Sequence, residues 1–381
     1  MSETVSPFLE VSQAIIEAGG EALKKCYQCG TCSGTCPWKP ISHFNIRTLI
    51  RLGQFGLEGI EDLMWGCSSC KFCVDRCPRG VEIIDVVTAA RSVYASGGLL
   101  PGSLRSLVGS LSANGNPWTG DASKRNDWAR DAYPIYEKGM EYLYFTCCTV
   151  SYDARNVQVA RATSELLTRA GLNWGLVGAD ARCCGESLRK VGDYDLFERL
   201  KEHNRNLFKE AGAAKIIVIS PHCLETFTKE YGDSYRVIHF VELLADLIRQ
   251  GKLSPSRDFG GRKITYHDPC FLGRHNGIYD APRDIINALP GVEFQEMDRI
   301  REQSMCCGGG GGGLWIEREK GERLSDFRIE EALETGASVL ATSCPYCIAM
   351  LEDSVRTANA DDRIAVKDLS ELVLESLEQQ D

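Results

Sequence analysis

The chain has 381 residues, a net charge of −10 and 18 cysteines. The acidic balance argues against nucleic acid as a partner, because phosphate binding needs a basic surface. No apolar run reaches the roughly 18 residues that cross a bilayer, so no direct membrane span is expected.

The start, Met1-Ser2-Glu3-Thr4, has no basic stretch followed by an apolar one, so no secretory leader is expected. The expected location is cytoplasmic, with any membrane association made through a partner. The length suggests two or three domains. Cysteines in a chain of this size without an export signal read as metal ligands rather than disulfides. They form three groups: eight from Cys26 to Cys77, five from Cys147 to Cys223 and five from Cys270 to Cys347.

Residues 1–96 read as the first domain. Val11, Ile15, Ile16 and Leu23 recur at helical spacing between Pro7 and Lys25. Then come Cys26, Cys29 and Cys32, followed by Cys36-Pro37; the frame returns as Cys67, Cys70 and Cys73, followed by Cys77-Pro78. This is the bacterial ferredoxin run, twice. Three thiolates at every third residue let one loop cover three irons of a [4Fe–4S] cube, and the fourth iron needs a cysteine from elsewhere. In two-cluster ferredoxins the last cysteine of each run serves the other cluster. The expected sets are therefore Cys26, Cys29, Cys32 and Cys77 for one cubane, and Cys67, Cys70, Cys73 and Cys36 for the other. Zinc is a poor fit, because its sites use cysteine pairs well separated in sequence. Ile46 onward to Leu63 reads as helix, as does Val81 to Tyr94. The module resembles the helical ferredoxin domain of respiratory iron–sulfur subunits.

Residues 97–138 are rich in turn formers, among them Gly97-Gly98, Pro101-Gly102 and Asn114-Gly115-Asn116-Pro117. They read as a surface linker that Trp118 and Trp128 anchor.

Two copies of one plan follow, residues 139–258 and 259–381. Strands are expected at Tyr142 to Phe145 and Lys263 to Tyr266, entering Cys147-Cys148 and Cys270. Tyr-Asp-Ala follows in both, at Tyr152 and Tyr279. Helix leads to Cys183-Cys184-Gly185 or Cys306-Cys307-Gly308, the latter opening a run of six glycines to Gly313. Such a run contributes no side chain to a core and loses much backbone entropy, so the glycines are expected to wrap closely around a metal–sulfur cluster. A further helix leads to strands Lys215 to Ile219 and Ala337 to Ala341. These end at Ser220-Pro221-His222-Cys223 and Cys344-Pro345-Tyr346-Cys347. Alternating strands and helices predict parallel α/β units with ligands at the strand ends. The expected fold is thus α/β plus α: a helical two-[4Fe–4S] ferredoxin domain, then a duplicated α/β domain with pseudo-twofold symmetry.

The double ferredoxin run ahead of two Cys-Cys-Gly repeats resembles the heterodisulfide reductase type of iron–sulfur oxidoreductase. The resemblance covers nearly the whole chain apart from 97–138. It implies that Cys270, Cys306, Cys307, Cys344 and Cys347 hold a non-cubane [4Fe–4S] cluster where a thiol–disulfide couple is reduced or formed. The first repeat departs from that pattern at Ser220, since a hydroxyl is a poorer iron ligand than thiolate. It also has two cysteines, Cys147 and Cys148, where the second repeat has Cys270 alone. The spacing to Cys183 matches Cys147, and the Tyr-Asp pattern points to Cys148. Cys147, Cys148, Cys183, Cys184 and Cys223 therefore hold either a further iron–sulfur cluster or zinc, if they hold a metal at all.

His222 and His267 read as donors beside ligand thiols, able to supply protons near neutral pH. Arg189, Lys190, Arg274 and His275 are candidates for holding an anionic substrate or for a solvated face. The expected function is electron transfer through two cubanes into the second-repeat site, reducing or forming a disulfide. The alternative is a non-catalytic conduit in a larger complex. It would link a flavoprotein or a membrane quinone or cytochrome module to another reductase, such as one acting on an aromatic acyl-CoA.

Overall fold

The computed structural model describes residues 7–42 and 44–377; the Met1–Thr4 start lies outside them. Among the described residues no helix is long and apolar enough to cross a membrane.

The N-terminal region is helical, but its helices are shorter than the sequence pattern suggests. The first runs Leu9–Ile15, widens into a π-helical turn through Gly20 and ends as a 3-10 turn at Glu21–Lys25, broken at Gly19 with φ 103°. The second, Ile46–Phe55, stops at Gly56 instead of continuing to Leu63. Gly56 has φ 59°, and a Cβ there would lie 1.9 Å from the Phe8 carbonyl oxygen, so the two segments can only meet at a glycine. A short helix Ile60–Met64 follows, and Ile83–Ser96 completes the domain. Ile46, Leu49, Ile50, Ile60, Met64, Val86, Val87 and Ala90 form its apolar core. Burying each large aliphatic side chain stabilises by about 1.5–3 kcal/mol, which holds helices too short to persist alone.

Residues 97–138 are not a surface connection throughout. They contain a helix, Gly102–Asn114, whose Leu104, Leu107 and Leu111 share one buried face. Trp128 is buried and Trp118 packs edge-on against Trp315 at 5.0 Å. The helix sequence is rich in glycine and serine, so packing rather than propensity sustains it.

The rest forms two four-stranded parallel sheets. β1 (Tyr142–Phe145), β2 (Trp174–Leu176), β3 (Lys215–Val218) and β4 (Arg236–His239) lie in the order β2-β1-β3-β4. β5 (Arg262–Tyr266), β6 (Val292–Phe294), β7 (Val339–Thr342) and β8 (Ala365–Asp368) lie in the order β6-β5-β7-β8. Helices such as Val157–Arg169 and Leu324–Glu334 make the crossovers that parallel neighbours require. The central strands are almost wholly buried, which explains their unbroken apolar runs. The outer strands β2, β4, β6 and β8 have three or four residues each and too little periodicity to be read from sequence.

The registers correspond. Tyr144 pairs with Ile217 in the first sheet, and Tyr266 with Ala341 in the second. At the ends of β4 and β8, His239 and Asp368 each cap the next helix, accepting from the backbone N–H of Val241 and Ser370. Both Cys-Cys-Gly motifs lie in the interior: Cys183 and Cys184 are in the core of the repeats, and Cys306 packs into the apolar cluster of the N-terminal domain.

Candidate metal centres

The two ferredoxin runs fold alike. Gln28 and Ser69, each two residues after the first cysteine of their run, are left-handed with φ 67° and 52°. Gly30 and Lys71, two further on, are left-handed too. This turns the Gln28 and Ser69 N–H groups onto the Cys26 and Cys67 sulfurs, both at 3.4 Å. Such donors favour the thiolate.

Cys26, Cys29, Cys32 and Cys77 line one cavity, with Gly30, Arg47 and Pro78 beside them. Cys29 is exposed; the other three are half-buried. Cys36, Cys67, Cys70 and Cys73 gather deeper. Burial pushes the Cys36 and Cys73 thiols up, and repulsion from neighbouring thiols, Cys67 and Cys70 among them, adds to it. Four thiols crowded in a dry site are stable as thiolates only around a cationic group. The donor set therefore fits iron–sulfur ligation.

In the second repeat the thiols form a chain. Cys270 meets Cys306 at 3.8 Å, Cys306 meets Cys307, Cys307 meets Cys347 at 3.3 Å, and Cys347 meets Cys344. In the first repeat Cys148 meets Cys183, Cys183 meets Cys184, Cys184 meets Cys223 at 3.4 Å, and Cys223 meets Cys147. All ten thiols are at most 8% exposed, so any charge they carry needs local partners. His267 lies against Cys307 and accepts from Arg328 Nε at 3.1 Å. Metal-ligating atoms crowd together there, since those of His267, Cys307 and Cys347 lie within 4.8 Å of one another. In the first repeat Arg125, fully buried, donates to the Cys148 sulfur at 3.7 Å.

The repeats also touch each other. His222 of the first reaches the Cys344 thiol of the second, and its Nδ1 lies 3.3 Å from a Glu186 carboxylate oxygen. Burial lowers the imidazole's pKa, but Glu186 and Cys344 outweigh that and raise it to about 10. For Cys344, burial raises the thiol while bonds from Cys347 and His222 bring it down to about 6. Reciprocally, Tyr346 of the second repeat shares a hydrogen bond with Ser187 of the first at 3.2 Å.

The ferredoxin domain docks on the second repeat. The Cys70 thiol meets the Cys306 thiol. Arg274 donates to the Cys70 carbonyl at 2.7 Å and to the Ser304 carbonyl at 2.8 Å. Here the glycine run takes a different role from the one expected. Gly308 does lie against the cluster motif, donating its N–H to Cys306 Sγ at 3.3 Å. Gly310 and Gly311, however, make room for the ferredoxin loop. A Cβ on either would lie 2.5 Å from the Ser68 carbonyl oxygen or 2.4 Å from that of Cys67.

Three of the four candidate anion-binding residues, Arg189, Arg274 and His275, are engaged internally. Arg274 holds the ferredoxin loop, His275 pairs with Glu225 and the Ser69 carbonyl, and Arg189 pairs with Glu230. Sequence reasoning missed Arg91, Arg125 and Arg328, all fully buried. For Arg91 there was a signal: a lone cation on the inner side of the apolar segment Ile83 to Tyr94.

A model of a cysteine-rich domain matches residues 142–228 and 264–352, and a 4Fe-4S dicluster domain matches residues 22–81. The chain is 36% identical to a probable iron-sulfur-binding oxidoreductase FadF of Bacillus subtilis, over 83% of this chain and 47% of that protein. It is 35% identical to an EtfAB:quinone oxidoreductase of Syntrophomonas wolfei, over 84% of this chain and 47% of that protein. The chain thus spans about half the length of these two relatives. It is 30% identical to one component of the dihydromethanophenazine:CoB–CoM heterodisulfide reductase of Methanosarcina mazei, over 93% of this chain and 94% of that protein. A hypothetical protein from Helicobacter pylori shares the fold, with TM-score 0.60 and 9% identity over 97% of this chain and 77% of that one. With dicluster and cysteine-rich domains in the same order and matched along nearly its full length, the chain belongs to the iron–sulfur protein family that includes this heterodisulfide reductase component.

Proposed function

We propose that the chain is an electron-transfer oxidoreductase subunit. Electrons pass from the Cys26, Cys29, Cys32 and Cys77 site, through the Cys36, Cys67, Cys70 and Cys73 site, to the second cysteine-rich repeat. The observation that carries this reading is the meeting of the Cys70 and Cys306 thiols across the domain junction. Two cubane [4Fe–4S] clusters fit the ferredoxin sites, and a non-cubane [4Fe–4S] cluster fits Cys270, Cys306, Cys307, Cys344 and Cys347. Bound clusters supply one-electron storage at potentials set by burial and by hydrogen bonds to sulfur. The chain's own residues do the positioning. Gln28, Ser69 and Gly308 direct N–H groups at cysteine sulfurs. Arg274 ties the Cys70 loop to the segment around Ser304. The exposed Cys29 marks the side from which a redox partner delivers electrons.

At the far end the reading is a thiol–disulfide couple, as the name of the Methanosarcina relative suggests. His222, ion-paired with Glu186 and bonded to Cys344, is placed to hold a proton beside that thiol. The reciprocal reach of His222 and Tyr346 supports a pseudo-twofold pair of repeats, residues 139–258 and 259–381, behind a ferredoxin unit of residues 1–96. The second reading is a conduit to another redox protein, a flavoprotein or a quinone module, as the Syntrophomonas relative's name suggests. The burial of all ten repeat thiols favours it, since a substrate sulfur would need access.

Turnover separates the two. Reduced viologen dye oxidised only when a disulfide is added supports the thiol–disulfide reading; no oxidation across a disulfide panel leaves the conduit. The route itself is tested by Cys29→Ala with reduction followed by rapid-freeze EPR. Second-repeat signals should appear more slowly than in the wild type, and unchanged kinetics would overturn entry through that site.

A further inference from the structure

We propose that the first cysteine-rich repeat holds a five-thiolate iron–sulfur centre in which Cys147 stands in for the cysteine this repeat lacks at position 220. The inference rests on the iron–sulfur reading of the second repeat given above, and extends it to a site whose metal the sequence leaves open.

Strand register carries the argument. Phe145 pairs with Val218, so Cys147 and Ser220 each lie two residues beyond a paired position, side by side at the ends of β1 and β3. In the second sheet Tyr266 pairs with Ala341, so Pro269 and Cys344 occupy the matching places at the ends of β5 and β7. Cys148 then corresponds to Cys270. Between the repeats, one thiol has moved across to the neighbouring strand end: Cys147 beside Ser220 in one, Pro269 beside Cys344 in the other.

The thiol contacts agree. Cys344 closes the second-repeat chain by meeting Cys347. In the first repeat, Cys223 corresponds to Cys347, and the thiol it meets besides Cys184 is Cys147. The order Cys148, Cys183, Cys184, Cys223, Cys147 thus repeats the order Cys270, Cys306, Cys307, Cys347, Cys344. Ser220 is 2% exposed and its side chain makes no bond to the N-terminus of the helix it precedes. A structural zinc takes four ligands, and five converging thiols exceed that. The thiolate charge has a partner in Arg125, buried against Cys148, much as Arg274 faces Cys270.

The test counts metals in the full-length chain purified without oxygen. Four sites of four irons give about 16 irons and no zinc in the wild type. Cys147→Ala should fall to about 12 irons while the ferredoxin EPR signals persist. Cys147→Ala with Ser220→Cys should return to about 16. One zinc with about 12 irons in the wild type, or full iron in Cys147→Ala, overturns the proposal. If Cys147→Ala fails to accumulate, Cys147→Ser replaces it, and an EPR spectrum identical to wild type counts against ligation by Cys147. Cys307→Ala, run alongside, probes the second repeat alone, so a failure of the parent reading appears there and not in the Cys147 series.

Discussion

Arg91 joins three parts of the molecule, and replacing it measures how much that junction matters. The residue is fully buried in the Ile83–Ser96 helix. Its guanidinium donates five hydrogen bonds: two to Met64, at 3.1 and 2.7 Å, and one each to Cys67 at 2.8 Å, Lys190 at 2.9 Å and Gly311 at 2.8 Å. All the acceptors are carbonyls. They belong to the end of a short helix and the second ferredoxin loop, to the first repeat, and to the glycine run of the second. Burial lowers its pKa to about 10, so it remains charged at neutral pH.

Arg91→Met keeps most of the volume and removes every donor. Each buried carbonyl left without a partner costs about 1–3 kcal/mol, and three lose theirs; the Met64 carbonyl keeps the Cys67 N–H at 3.4 Å. Relief of the guanidinium's own desolvation returns several kcal/mol, so the expected net loss is about 3–5 kcal/mol. Guanidinium unfolding without oxygen, followed by tryptophan fluorescence and visible absorption, reads the loss. Electron arrival at the second repeat should also slow, because the Cys67 carbonyl and the Gly311 carbonyl are no longer held by one group. A change below about 0.5 kcal/mol, the range of an ordinary surface substitution, together with unchanged transfer kinetics, would refute the reasoning.

Two other perturbations probe separate features. Gly310→Val places a Cβ 2.5 Å from the Ser68 carbonyl oxygen and 3.2 Å from the Phe271 ring; overpacking of this kind costs about 1–3 kcal/mol. Stopped-flow reduction should show slower transfer at unchanged iron content, whereas Gly309→Ala is tight only against the flexible Met350 at 3.1 Å, makes ordinary contacts with Tyr346 at 3.6 Å and the Cys307 sulfur at 3.8 Å, and should behave as wild type. Equal rates in both variants would remove the glycine run from the junction argument. His239 is buried and its pKa is held at about 3, against an ordinary value of 6.5. Its neutral form therefore contributes stability that is complete above pH 6.5 and is lost progressively as pH falls from there toward 3. His239→Asn keeps a capping acceptor and removes that dependence. The wild type should lose stability relative to the variant by up to about 1.4 kcal/mol per pH unit below 6.5, and parallel stability curves between pH 7 and 5 would count against it.

Much of the chain was legible from its residues because cysteine spacing is a geometric constraint. A loop presenting Cys26, Cys29 and Cys32 has few other uses, and the Cys-Cys-Gly repeats carry their own strand and helix frame. Strong apolar runs gave the central strands β1, β3, β5 and β7. What failed was local pattern where packing decides. The Gly102–Asn114 helix reads as turn-rich chain because its glycines and serines favour no structure alone, yet three leucines dock it into the core. The short outer strands have no periodicity to detect. The glycine run announced a close approach, but not what approaches.

By itself, the sequence determined the cysteine inventory, the order of the domains and the family, since each depends on residue identity and spacing along the chain. Only the tertiary structure decided which thiols meet. Cys147 or Cys148 could each have matched Cys270 by counting, because loop lengths between the strand and the Cys-Cys pair differ by one. Strand pairing bears on the choice: hydrogen-bond register sets residues opposite one another without regard to loop length, and carried two residues past the Phe145–Val218 pair it puts Cys147 level with Ser220. The buried arginines that tie the ferredoxin loop to the repeats belong to the same class. Their partners are backbone carbonyls far away in sequence, and a carbonyl looks the same at every residue.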